Sequence, residues 1–137
     1  MKATTIWENG FSSKVTNNRN HTVTLDLPQA KGGDDLGATA FELCLMSYSG
    51  CVNTIFAMVA QKMRINFTSL EVDTDGEQNN GTPTFSDVKI ELRIQSDASD
   101  KKLEKCLQIT LETCPVGVLF HQAGVKTTYN IIKMQEA

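Results

Sequence analysis

The segment from Thr39 to Lys62, TAFELCLMSYSGCVNTIFAMVAQK, restricts the possible folds more than any other stretch of this chain. Between Leu43 and Gln61 it carries no charged side chain. Apolar residues recur at Phe41, Cys44, Leu45, Tyr48, Cys51, Val52, Ile55, Met58 and Val59, the spacing of one helix face. Leu43, Met46, Phe56 and Ala57 fall off that stripe. A helix that is apolar nearly all round needs cover nearly all round. Thr39 with Glu42 three residues on forms a capping box, in which each side chain satisfies a free backbone N–H. Lys62 and Arg64 suit the negative end of the helix dipole. The run is long enough for a membrane span. Ser47, Ser49, Gly50, Asn53 and Thr54 interrupt it, however, and neither an aromatic belt nor a basic flank brackets it. The expected reading is a buried core helix with Cys51 near its middle, and no membrane partner.

A length of 137 residues fits one domain spanning residues 1–137. Lys and Arg are scattered and the net charge is −3, which argues against a phosphate-tracking surface and so against nucleic acid as a partner. Met1, Lys2 and Ala3 lead into polar sequence with no apolar signal region, so a cytoplasmic location is expected. In that compartment four cysteines are reduced, catalytic or metal-bound rather than structural disulfides.

The remaining elements are read from alternation and breakers. Asn9-Gly10 is a hairpin signal. Val23, Leu25 and Leu27 alternate with polar residues and stop at Pro28, and Gln29 to Gly37 reads as a flexible glycine-rich connection. Phe67–Asp73 and Phe85–Gln95 are expected strands, with a turn over Gly76–Pro83 between them. In the second strand Val88, Ile90, Leu92 and Ile94 form a dry face. Ser99 or Asp97 caps a helix running to about Thr113, with Leu103, Cys106, Leu107, Thr110, Leu111 and Cys114 on one stripe and Pro115 as its stop. Val116–His121 adds a short helical turn, and Val125–Met134 closes the chain as a strand. The order predicts an α+β domain with two main helices on antiparallel sheet. One sheet covers only one side of the Thr39–Lys62 helix. A second copy of the chain supplies the other cover, so an obligate homodimer is expected.

None of Cys44, Cys51, Cys106 and Cys114 forms a C-x-x-C pair, and only His21 and His121 could join them, so no metal site is expected. All four cysteines sit on helical apolar stripes, where the ordinary role is a small buried hydrophobe. That reading is taken for Cys44 and Cys106. Cys51 follows Ser49-Gly50 and Cys114 abuts Pro115, so for these two a redox pair stands beside the packing role.

The stretch Gly37–Cys51, GATAFELCLMSYSGC, resembles the opening of the central helix in the OsmC/Ohr family of osmotically inducible and organic hydroperoxide resistance proteins. His21–Pro28 (HTVTLDLP) and Glu112–Leu119 (ETCPVGVL) resemble two further family segments, in the same order. The resemblance implies an intertwined homodimer with the central helices sandwiched between sheets. It further implies a thiol peroxidase without metal, flavin or other cofactor, active in oxidative stress defence. Cys51 would attack an organic hydroperoxide and become a sulfenic acid, Cys114 would resolve it as a disulfide, and an external dithiol would reduce that. Family peroxidases place an N-terminal arginine beside the first cysteine, held by a glutamate on the central helix. Arg19 is the arginine available before the helix. The family's glutamate position, ten before the first cysteine, is Phe41 here, and Glu42 follows it, about 100° round the helix. The alternatives are a binding or redox-sensing module of the same fold without efficient turnover, and a purely structural dimer.

Overall fold

The computed structural model describes residues 1–79 and 81–135, so Asn80 within the expected 76–83 turn lies outside the described residues. The elements follow in the order β1 (Thr4–Asn9), β2 (Ser12–Thr16), β3 (Thr22–Leu25), a 3-10 turn at Gln29–Lys31, and α1 (Ala40–Lys62). Then come β4 (Ser69–Glu77), β5 (Asp87–Gln95), α2 (Asp100–Thr113), α3 (Pro115–Gln122) and β6 (Lys126–Lys133). The chain divides into two compact units, Met1–Cys44 and Leu45–Ala137.

The first unit is an antiparallel sheet in the order β1-β2-β3 followed by a pinned loop. Gly10, at φ +47°, makes the left-handed bend of the β1–β2 turn, as the Asn-Gly signal predicts. The loop from Gln29 to Gly37 is not the flexible connection expected from its glycines. Asp26 is buried, and its carboxylate accepts from the backbone N–H of Leu27 (2.8 Å), Asp34 (3.1 Å) and Leu36 (3.2 Å). Gly33 and Gly37 press against the backbone of Leu27 and Thr24, where a Cβ would clash outright. These glycines therefore serve close approach, which composition alone does not distinguish from flexibility.

The capping box at the start of α1 is present in both directions. The N–H of Thr39 donates to Glu42 Oε2 (2.7 Å), and the N–H of Glu42 donates to Thr39 Oγ1 (3.1 Å). The helix ends at Lys62, and Arg64 takes a left-handed φ of +54° to turn the chain.

In the second unit the core joins α1, β5, α2 and α3. The fully buried stripe of α1 is Tyr48, Val52, Phe56 and Ala60. Phe56, off the stripe expected from spacing, is thus at the centre. A helix apolar on every side offers no phase by which to choose its inner face. Among the described residues α1 is the helix long and apolar enough to cross a membrane, and that same stripe builds the core.

Strand β5 buries Val88, Ile90, Leu92 and Ile94, as its alternation predicts, each worth roughly 1.5–3 kcal/mol of transfer free energy. Its outer face carries Arg93, which donates to Glu71, Asp73 and Glu91. β4 pairs antiparallel with β5, but β6 pairs parallel to it, Asp87 opposite Lys126 and Ile94 opposite Lys133. The sheet is therefore mixed, not antiparallel throughout. The reason is topological: α2 and α3 together form the crossover that carries the chain back to the starting end of β5. The expected short turn after Pro115 is a helix of eight residues, which makes three helices rather than two main ones. Gly76 belongs to β4 rather than to a turn, and it leaves room for Phe85, whose Cε1 would lie 2.5 Å from a Cβ there.

Candidate functional site

The break between α2 and α3 positions Cys114. Pro115 has no N–H to continue α2, so the chain leaves the helix at Cys114 (ψ 112°) and starts again, with Pro115 in the first turn of α3. Cys114 is both the C-cap of one helix and the N-cap of the next, its sulfur accepting from the N–H of Gly117 at 3.4 Å. This corner aims Cys114 Sγ at α1, where it donates to Cys51 Sγ at 2.7 Å. Both thiols are free, Cys114 fully buried and Cys51 half-buried.

Burial pushes the Cys114 thiol up to about 11, and the bond to Cys51 adds to the rise, against a smaller lowering by the N–H of Gly117. In the contact between the two, the Cys114 thiol is the donor and Cys51 Sγ the acceptor. Tyr48, one turn before Cys51, is also pushed up by burial and by its nearness to both thiols, against a hydrogen bond to Thr127 that lowers it. Its hydroxyl lies 3.5 Å from Thr127 Oγ1, and its ring packs on Phe120 at 4.6 Å between centroids.

The four cysteines separate clearly. Cys106 is buried, contacts the carbonyl of Phe56 at 3.8 Å, and is pushed up to about 11 by burial, the inert role expected of it. Cys44, expected to be buried, is exposed. The cause is again the all-apolar helix, whose spacing does not tell an inner position from an outer one.

Of the proposed site residues, Cys51 and Cys114 are brought together. Arg19 lies in the β2–β3 turn of the first unit, where Asn17 Oδ1 accepts from its N–H at 2.9 Å and from that of His21 at 3.4 Å. Asn18 and Asn20 on either side of it take positive φ, 60° and 67°, so Arg19 is carried at the tip of a braced turn. Glu42 is engaged at the start of α1, roughly two and a half turns before Cys51. The N–H of Thr39, then its hydroxyl, hold the Glu42 carboxyl below the usual range. No group of three or more metal-ligating side chains occurs among the described residues.

Of the apolar side chains on α1 and α3, Tyr48 and Phe120 are buried, Ile55 is half-buried and Leu119 is exposed. A cleft of about 400 Å³ lies between α2, α3 and β6, walled by Tyr48, Leu111, Gly117, His121, Thr127 and Tyr129 among others. The part played by Gly117 was not read from the sequence. The available signal was a glycine inside a helical turn, three residues after a cysteine.

The fold is shared with several solved structures. An OsmC-like protein from Mycoplasma pneumoniae superposes with a TM-score of 0.86 at 15% identity, over 98% of this chain and 96% of that one. An organic hydroperoxide resistance protein from Elizabethkingia anophelis gives 0.73 at 18% identity, over 96% and 94%. One from Legionella pneumophila, described as an organic hydroperoxide resistance protein OsmC and predicted redox protein, gives 0.70 at 15%, over 95% and 94%. No curated protein matches the sequence. The family model for OsmC-like proteins matches residues 32–130, most of the chain, and the protein belongs to that family.

Proposed function

We propose that this protein is a thiol-dependent peroxidase that reduces organic hydroperoxides, with Cys51 as nucleophile and Cys114 as resolving thiol. The observation that carries the reading is the 2.7 Å approach of the two sulfurs across a contact in which Cys114 is the donor. Cys51 as thiolate attacks the distal peroxide oxygen, the O–O bond breaks, and the alkoxide leaves as alcohol after taking a proton. The resulting sulfenic acid loses its oxygen as water when Cys114 attacks, forming the Cys51–Cys114 disulfide. An external dithiol then returns two electrons and two protons by exchange. No resident cofactor is required by these steps.

Arg19 is proposed as the cation that favours the Cys51 thiolate, and Glu42 as its carboxylate partner. A cytoplasmic setting supplies the reducing thiols. The active form is proposed to be an intertwined homodimer. Support comes from Met46 (55% exposed) and Met58 (50%) on α1, and from Ile6, Trp7 and Phe11 of the first hairpin, also exposed in the single chain. The commitment of Glu42 to the helix cap favours a second reading, a redox-sensing module that forms the disulfide without rapid turnover.

The test mixes reduced protein with cumene hydroperoxide and follows peroxide and free thiols. Cys51→Ser should abolish peroxide consumption, and Cys114→Ser should leave a sulfenic acid that dimedone traps. Consumption by Cys51→Ser at the wild-type rate would sink the assignment, and a disulfide formed without catalytic turnover would favour the sensor.

A further inference from the structure

Cys51 and Cys114 are not held together by their own contact alone. Tyr48 stands one turn before Cys51 on α1, and Gly117 one turn after Cys114 on α3, so the two pairs face each other as successive rungs between the helices. At the second rung the edge of the Tyr48 ring lies against the α3 backbone at Gly117. A Cβ on Gly117 would lie 3.0 Å from Tyr48 Cε2 and 3.2 Å from its hydroxyl. Gly117 has no positive φ, so glycine is not needed there for backbone reasons. Helix propensity alone would favour alanine at this position. The requirement is space, and it is set by a ring that cannot retreat. Tyr48 is 2% exposed, its hydroxyl faces Thr127, and its other side is filled by Phe120, which in turn stacks on Phe85 at 5.9 Å.

We propose that the Tyr48–Gly117 contact is the gauge that sets the Cys51–Cys114 separation, and that Tyr48 and Gly117 are positioning residues for disulfide formation. The proposal rests on the redox reading of the thiol pair, though not on peroxide chemistry. Deviations from preferred disulfide geometry store strain, so a methyl group that lifts α3 by a few tenths of an ångström makes the Cys51–Cys114 bond harder to form.

The experiment equilibrates the full-length protein with mixtures of reduced and oxidised dithiothreitol. The two cysteines give up two electrons and two protons, and the cyclic disulfide of the reagent accepts both. Alkylation and intact mass then read the effective concentration of the Cys51–Cys114 pair. Gly117→Ala is expected to lower it by about tenfold, and adding Tyr48→Leu, which removes the obstructing ring edge, should raise it again. A general loss of packing would instead make the double variant worse than either single one. Folded Gly117→Ala with the wild-type value overturns the proposal, as does a double variant that shows no recovery. Should Gly117→Ala fail to fold, the double variant is compared with Tyr48→Leu alone. Equal values support the gauge, and a deficit in the double variant overturns it. Wild-type protein that forms no Cys51–Cys114 disulfide also overturns it. A wild-type protein that forms the disulfide here yet ignores hydroperoxide would sink only the peroxidase reading.

Discussion

At the scale of single residues, the same side-chain type takes opposite roles according to what surrounds it. Cys106 and Cys114 are both buried thiols raised by loss of solvation, yet Cys106 donates to the carbonyl of Phe56 whereas Cys114 donates to a second sulfur. Asp26 is the counterpart among the acids. Burial alone would raise its carboxyl, but the N–H groups of Leu36, Leu27 and Asp34 together outweigh that and hold it below the ordinary range. A carboxyl depressed in the folded state stabilises the fold above its unfolded value, and that contribution is lost as pH falls through the folded value. The wild-type protein should therefore lose stability on acidification below about pH 4. Asp26→Asn should be less stable at neutral pH and show a shallower acid dependence. Urea titrations between pH 2.5 and 7 check this, and parallel curves for the two proteins would contradict it.

At the scale of elements, boundaries follow from local chemistry. The Thr39–Glu42 pair starts α1, and Pro115 divides what would otherwise be one helix into α2 and α3. Thr39→Ala removes the hydroxyl acceptor for the Glu42 N–H and should cost about 1 kcal/mol. The urea midpoint should fall at unchanged slope. A midpoint equal to wild type would show that the cap does not limit the stability of α1. The parallel pairing of β5 and β6 belongs to this scale too. Alternation identified the dry face of β5 correctly, but strand direction depends on where the intervening helices return the chain.

At the scale of the whole molecule, α1 is the unresolved demand of a single chain. Its buried stripe is one residue in four, from Tyr48 to Ala60, while Met46 and Met58 face outward. Apolar surface of that kind, together with Ile6, Trp7 and Phe11, is expected to be covered by a second copy. Sedimentation at micromolar concentration should give a dimer, and a folded, stable monomer would refute the expectation. Met46→Glu should shift the protein toward monomer or unfolded chain, because it places a charge on the surface that a partner would cover.

The amino-acid sequence by itself determined the elements whose signals are local. The cap at Thr39, the dry face of β5, the hairpin at Gly10 and the helix break at Pro115 each depend on a few neighbouring residues. It also pointed to Cys51 and Cys114 as the pair of interest, through a family resemblance rather than through spacing. Only the tertiary structure decided the inner face of α1, the exposure of Cys44, the pinned state of the Gln29–Gly37 loop and the parallel run of β6. The same is true of the contact between Tyr48 and Gly117, residues 48 and 117 being far apart in the chain. These features arise from close packing between distant segments. A helix without polar residues, or a glycine without its neighbour in view, carries no local mark of what will press against it.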